Sequence, residues 1–221
     1  IDARDDEVIV NFSLLYAYAP LLKEEEKKYE NFSKSIRRRA ATIGGHNMDD
    51  YPLKMHVFNR ARLIKNSKNR IPYGVDLIQK YKRESWIVFT ENKKQAKQFN
   101  KIINTKGFKS ALYNTDLDSS ERLENLTKFK NGDLNVLVTC TALDEGFDMP
   151  EADGALILSA SSSKRQRVQR MGRVLRITEN KPNALIVTVY SSKTEFDKLM
   201  EEAKRYHKEG VPVSWKRQDK K

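Results

Sequence analysis

Residues 135–176 read NVLVTCTALDEGFDMPEADGALILSASSSKRQRVQRMGRVLR. The run opens on Val136-Leu137-Val138, a continuous apolar triplet of the kind carried by a strand covered on both faces. It passes through Thr139, Cys140 and Thr141 into a turn holding Asp144, Glu145, Gly146, Asp148 and Pro150. A second apolar strand pattern at 154–158 and a Ser-rich turn then lead to Gln169-Arg170-Met171-Gly172-Arg173-Val174-Leu175-Arg176. On a helix turning 100° per residue, Gln169, Arg173 and Arg176 fall within a sector of about 60°, while Val168, Met171 and Leu175 share a separate apolar face. Packed by that apolar face, the helix presents two guanidinium groups on one wall.

The same alternation extends on either side. Trp86-Ile87-Val88-Phe89-Thr90 reads as a strand, and Asn92 as the cap of a helix burying Ala96, Phe99, Ile102 and Ile103 before Gly107. Ser110-Ala111-Leu112-Tyr113 is the next strand. Asp118 with Glu121 starts a helix whose stripe is Leu123, Leu126 and Phe129, closing at Asn131-Gly132. Strands at 134–139, 154–158 and 184–189 and a helix from Lys193 to Tyr206 complete the series. Repeated βα units of this length predict an α/β fold, a parallel sheet with helices on both faces. Ligands of such sheets bind outside the carboxyl ends of the strands, where Thr90, Asn114, Thr139 and Asp148 collect. Taken singly, each of these also serves as an ordinary cap or turn residue.

The first 74 residues read differently. Val8, Val10, Phe12, Leu14, Tyr16 and Tyr18 alternate with a period of two, which predicts an extended segment ending at Pro20. A helix follows from Leu21, with Glu24, Glu25 and Glu26 near its positive end and Arg37, Arg38 and Arg39 near its negative end, stopping at Gly44-Gly45. The arginine run suits a nucleic-acid backbone or a solvated helix end. A second helical pattern runs from Leu53 to Ile64 and a third from Val75 to Tyr81, with Pro72 and Gly74 between them. The basic tail from Gly210 is expected to fray, with docking of a partner or DNA as the alternative.

Among 221 residues, 42 Lys and Arg oppose 30 Asp and Glu, a net charge of +12 that favours a polyanionic partner. The lone Cys140 forms no internal disulfide, and His46, His56 and His207 show no zinc spacing, so no structural metal is expected. No apolar run of about 18 residues predicts a membrane helix. Two arginines on one helix face suit phosphate oxygens, because a guanidinium forks onto them and keeps its charge. Spacing alone also fits a solvated basic helix face.

Gln169-Arg170-x-Gly172-Arg173-x-x-Arg176 resembles motif VI of superfamily 2 helicases, and Leu143-Asp144-Glu145-Gly146-Phe147-Asp148-Met149-Pro150 resembles motif V. Their form and order most resemble the XPB-like DNA repair helicases, with restriction-enzyme motor subunits close behind. The resemblance covers Trp86 to Tyr190 well and the first eighty residues loosely; it implies that residues 1–74 are a smaller accessory region, the end of the first lobe or linker and a helical insertion, with 75–206 the C-terminal lobe and 207–221 a basic tail. It implies a RecA-like C-terminal lobe whose Arg173 and Arg176 reach the γ-phosphate of ATP, helped by Gln169, Gly146 and Asp148. It also implies a nucleic-acid track through Thr90, Glu91, Asn92, Thr139, Thr141 and Arg170. DNA, as a single strand or fork, is the implied partner, with RNA open. Tyr113-Asn114-Thr115 departs from the His- or Gly-containing turn of many relatives.

No Gly-x-x-x-x-Gly-Lys-Ser/Thr loop and no strand-borne Asp-Glu-x-His box occurs in the sequence. The resemblance assigns those parts, and most of the hold on ATP and Mg, to a preceding lobe in cis, so this segment alone is expected to be inactive. Three functions are consistent with these readings: a DNA helicase or translocase lobe, the motor subunit of a restriction or defence system, and a basic nucleic-acid-binding module without catalysis. The implied location is the cytoplasm or nucleoid in a prokaryote or virus and the nucleus in a eukaryote.

Overall fold

The computed structural model describes residues 12–140, 152–159 and 183–218. Seven strands form one sheet: β1 (Phe12–Tyr18), β2 (Trp86–Thr90), β3 (Ser110–Tyr113), β4 (Val136–Cys140), β5 (Gly154–Ile157), β6 (Ala184–Tyr190) and β7 (Val213–Arg217). Their order across the sheet is β3-β4-β2-β5-β6-β1-β7, and every pairing is parallel. The expected parallel sheet flanked by helices is what the chain builds.

Full burial of β2, β4 and β6 follows from helices on both faces. The helices α3 (Arg70–Lys80) and α4 (Lys93–Thr105) cover one face, where Val88, Val138, Leu156 and Val187 meet Leu77, Ile78, Phe99 and Ile103. On the other face α5 (Ser119–Lys130) and α6 (Lys193–Lys208) bring Phe129, Leu199 and Tyr206 against Leu14, Ile87, Leu137 and Ile186. Asn92 and Asp118 accept from the backbone N–H of Gln95 and Glu121, the caps their sequence predicts. The stripe on α5 is narrower than expected: Leu126 and Phe129 are buried, but Leu123 is 64% exposed.

Three other expectations are corrected. The segment 12–18 is no accessory element, since it pairs with β6 along its whole length and with β7 on its other side. Val213–Arg217 forms the edge strand where a frayed tail was expected, its backbone taken up by β1. Pro72 and Gly74 do not separate helices but lie inside α3. Pro72 is its third residue, where a missing N–H removes no intrahelical bond. Gly74 lets α3 lie close to the sheet, because a Cβ there would sit 2.6 Å from Leu158 Cδ2 and 3.2 Å from Phe99 Cε2.

Helices α1 (Lys23–Thr42) and α2 (Tyr51–Lys65) pack chiefly on each other. Asp50 caps α2 by accepting from the Leu53 N–H at 2.9 Å, and the Arg39 side chain donates to the same carboxylate at 2.9 and 2.6 Å. Arg39 is thus held inside the hairpin, while Arg37 and Arg38 remain exposed. The Arg39 hydrogen bonds, then the Leu53 amide, hold the Asp50 carboxyl down to about 2 from its ordinary 3.8. A depressed carboxylate contributes stability above its unfolded value and loses it as pH falls through the folded value. Local opening of this hairpin, followed by amide exchange at Leu53, is therefore expected to rise as pH falls from about 4 to about 2. Asp50→Asn should flatten that dependence; an unchanged profile in the variant would remove Asp50 as its source.

Candidate functional site

Thr90 ends β2 at the carboxyl edge of the sheet and is buried. Its hydroxyl lies within hydrogen-bond reach of the Thr139 carbonyl at 3.0 Å and the Asn92 carbonyl at 3.2 Å. Thr139, also buried, donates to the Cys140 carbonyl at 3.1 Å. The structure therefore brings these two sequence-predicted residues together, with the Thr90 hydroxyl tying the end of β2 to that of β4 and the Thr139 hydroxyl bonded within β4. Cys140 is a small buried residue, as its apolar strand end predicts.

Glu91 and Asn92 form a latch with the end of α2. Glu91 pairs with Lys65 Nζ at 2.5 Å, and its N–H donates to Gln95 Oε1 at 3.0 Å. Gln95 Nε2 donates in turn to the Lys65 carbonyl at 2.8 Å, and Asn92 Nδ2 to Asn66 Oδ1 at 2.8 Å. Beside them Asp116 pairs with Lys93 and, at 2.9 Å, with Lys97; hydrogen bonds from those two lysines hold its carboxyl below the usual range. Asn114 follows β3, nearly buried, with Oδ1 accepting from the Asp116 N–H at 2.9 Å. Its Nδ2 has no partner among the described residues. Thr141, Gly146, Asp148, Gln169, Arg170, Arg173 and Arg176 lie outside the described residues.

Sequence reading missed the largest polar feature of this edge. Arg70, completely buried at the start of α3, donates Nε to the Ile64 carbonyl at 2.9 Å and to Ser67 Oγ at 3.1 Å. One terminal nitrogen reaches the carbonyls of Leu158 at 2.8 Å and Val189 at 2.6 Å. The other forks onto both Glu195 oxygens at 2.7 Å. A single guanidinium thus binds α2, α3, the ends of β5 and β6, and the first turn of α6. Ser192-x-x-Glu195 signals a helix start. Nothing in the sequence marks Arg70 as its partner.

Among the described residues, no group of His, Cys, Asp and Glu could hold a metal ion, and no helix is long and apolar enough to cross a membrane. The edge offers strand ends fixed by hydroxyls, a latched turn and a surplus of lysines, an arrangement that can position a polyanion without reading its sequence.

Residues 69–178 match the family described as the helicase conserved C-terminal domain. The chain is similar to the DNA 3'-5' translocase XPB2 of Sulfurisphaera tokodaii, 29% identical over 84% of this chain and 44% of that protein. It is also similar to the ATP-dependent RNA helicase DBP3 of Ajellomyces capsulatus, 28% identical over 72% of this chain and 32% of that one. The chain spans less than half the length of either relative. The solved C-terminal domain of the DEAD-box protein Dbp5 superposes with a TM-score of 0.61 at 20% identity, covering 71% of this chain and 88% of that domain. Its sheet and flanking helices share this RecA-like fold.

Proposed function

We propose that this chain, whose residues 69–178 match the helicase conserved C-terminal domain, is the second motor lobe of a superfamily 2, ATP-dependent DNA helicase or translocase. One observation carries the reading: the matched segment 69–178 contains both sequence motifs, 143–150 and 169–176, in order, and its described strands include β2 and β4, whose ends bring Thr90 and Thr139 together.

In this reading ATP and Mg are held mainly by a preceding lobe carrying the phosphate loop. Arg173 and Arg176 meet the γ-phosphate from this side, with Gln169, Gly146 and Asp148 shaping the approach. Closure on ATP brings the arginines in, and release after hydrolysis lets them out. The nucleic-acid strand passes along the latched turn. Thr90 and Thr139 fix the two strand ends, Glu91 and Asn92 set the turn, and Thr141 and Arg170 supply further contacts to phosphate. DNA is favoured over RNA because the relative that matches 84% of the chain is named a DNA translocase.

The test is ATP hydrolysis by the full-length protein with DNA, with RNA, and without nucleic acid, beside the same assay on this chain alone. Turnover stimulated by DNA in the full-length protein and absent from the isolated chain is the expected result. Stimulation by RNA alone would reassign the substrate. No hydrolysis with either polymer would overturn the motor reading.

A further inference from the structure

At the opposite end of the same carboxyl edge, among the described residues, β6, β1 and β7 and the first turns of α6 line an open pocket of about 750 Å³. Tyr18, Tyr190, Phe196 and Trp215 line it. Strand register puts these rings on one face: Tyr18 pairs with Tyr190 and Arg217, and Tyr16 with Trp215. Phe196 and Trp215 have ring centroids 5.1 Å apart, and Tyr190 stands edge-on to Trp215 at 5.9 Å. In a filled core such rings would be covered, yet Trp215 is 38% exposed.

Among the described residues Lys193, Lys216 and Arg217 line the pocket and no carboxylate does, although Lys193 Nζ pairs with Asp197 beside it at 2.9 Å. Arg217 lies over the Tyr18 ring, its guanidinium carbon 5.4 Å from the centroid. Lys193 opens α6, whose N-terminal end carries the positive pole of the helix dipole. Burial raises the Tyr190 phenol above its ordinary value, so that ring stays neutral. An unfilled aromatic pocket ringed by cations suits a flat aromatic group bearing phosphate, since stacking is indifferent to which base supplies the ring. β1 lies three strand spacings from β2, roughly 14 Å, a separation a few nucleotides of one strand can cover.

We propose that this pocket is a base-stacking site: Trp215 and Phe196 take up an unpaired nucleobase of the strand that passes the β2 and β4 ends, and Arg217 and Lys193 hold its flanking phosphates. The proposal rests on the strand-gripping function proposed above and adds to backbone contacts a sequence-tolerant hold on one base.

The experiment compares a short oligothymidylate with an abasic oligomer of equal length and charge, using fluorescence anisotropy for affinity and tryptophan emission for the pocket. Trp86, the other of the two tryptophans, is fully buried, so quenching reports on Trp215. The base-bearing strand is expected to quench emission and to bind about tenfold more tightly than the abasic strand, in line with stacking on an aromatic side chain. Trp215→Ala should remove that difference while leaving abasic affinity unchanged, and Trp215→Phe should restore most of it. Phe196→Ala, away from the β1–β7 pairing, should act in the same direction. Equal binding of both strands, or an equal loss on both in Trp215→Ala, overturns the base pocket while leaving strand-gripping intact. Failure of both strands to bind overturns strand-gripping and the pocket with it. Quenching by AMP that competes at equal affinity would make this a mononucleotide site and overturn the strand assignment.

Discussion

Arg70→Met is expected to lower the unfolding free energy of this chain by about 3–5 kcal/mol, the range for removing one partner of a buried ion pair. Arg70 has no exposed surface and Glu195 is 5% exposed, so the orphaned carboxylate would stay out of water. The carbonyls of Ile64, Leu158 and Val189 would lose a donor in the same step. Glu195→Leu combined with Arg70→Met should recover part of the loss, because no charge is then left buried. Recovery stays incomplete, since the Ser191 N–H also loses its Glu195 acceptor, at 2.8 Å. Urea unfolding of the single and double variants measures the coupling directly. A loss under about 1 kcal/mol in Arg70→Met would show that water or another donor replaces the guanidinium, and would remove Arg70 as the pin of this edge.

The second large effect concerns catalysis. Arg176→Ala in the full-length protein is expected to reduce DNA-stimulated ATP turnover by about 10³ while leaving DNA affinity and folding in place, the magnitude associated with a cationic side chain stabilising γ-phosphate charge in phosphoryl transfer. Arg176→Lys should recover little, because a point charge does not reproduce the planar fork. Arg173→Ala should lose less if Arg173 supports its neighbour. Arg70 sits at the same edge but is occupied by Glu195 and four neighbouring acceptors, so it has no donor left for a phosphate. Turnover within about twofold of wild type in Arg176→Ala would exclude a finger role.

The two arginines show what kind of information each source carries. Arg176 is singled out by sequence alone, because the two motifs that nominate it lie within one run of residues, and it lies outside the described residues. Local sequence also marks Asn92 and Asp118, whose caps depend on residues three positions away. The buried strands β2 and β4 are legible because helices on both faces demand continuous apolar runs.

Arg70 and Glu195 stand 125 positions apart, and no local pattern joins them. Alternation identifies 12–18 as extended but cannot say which strand it joins, so its place between β6 and β7 emerges only from pairing across the sheet. The tail shows the same limit: Val213–Arg217 is basic and short, and it becomes a strand because β1 leaves an edge open beside it. Pro72 and Gly74 mislead for a related reason. Their intrinsic helix-breaking tendency yields when one falls in a first turn and the other meets the sheet. By itself, then, the sequence determined the buried strands and the helix caps, whose signals are short-range. Only the tertiary structure decided the order of strands, the Arg70 pin and the aromatic pocket, because each depends on residues that meet only once the sheet has closed.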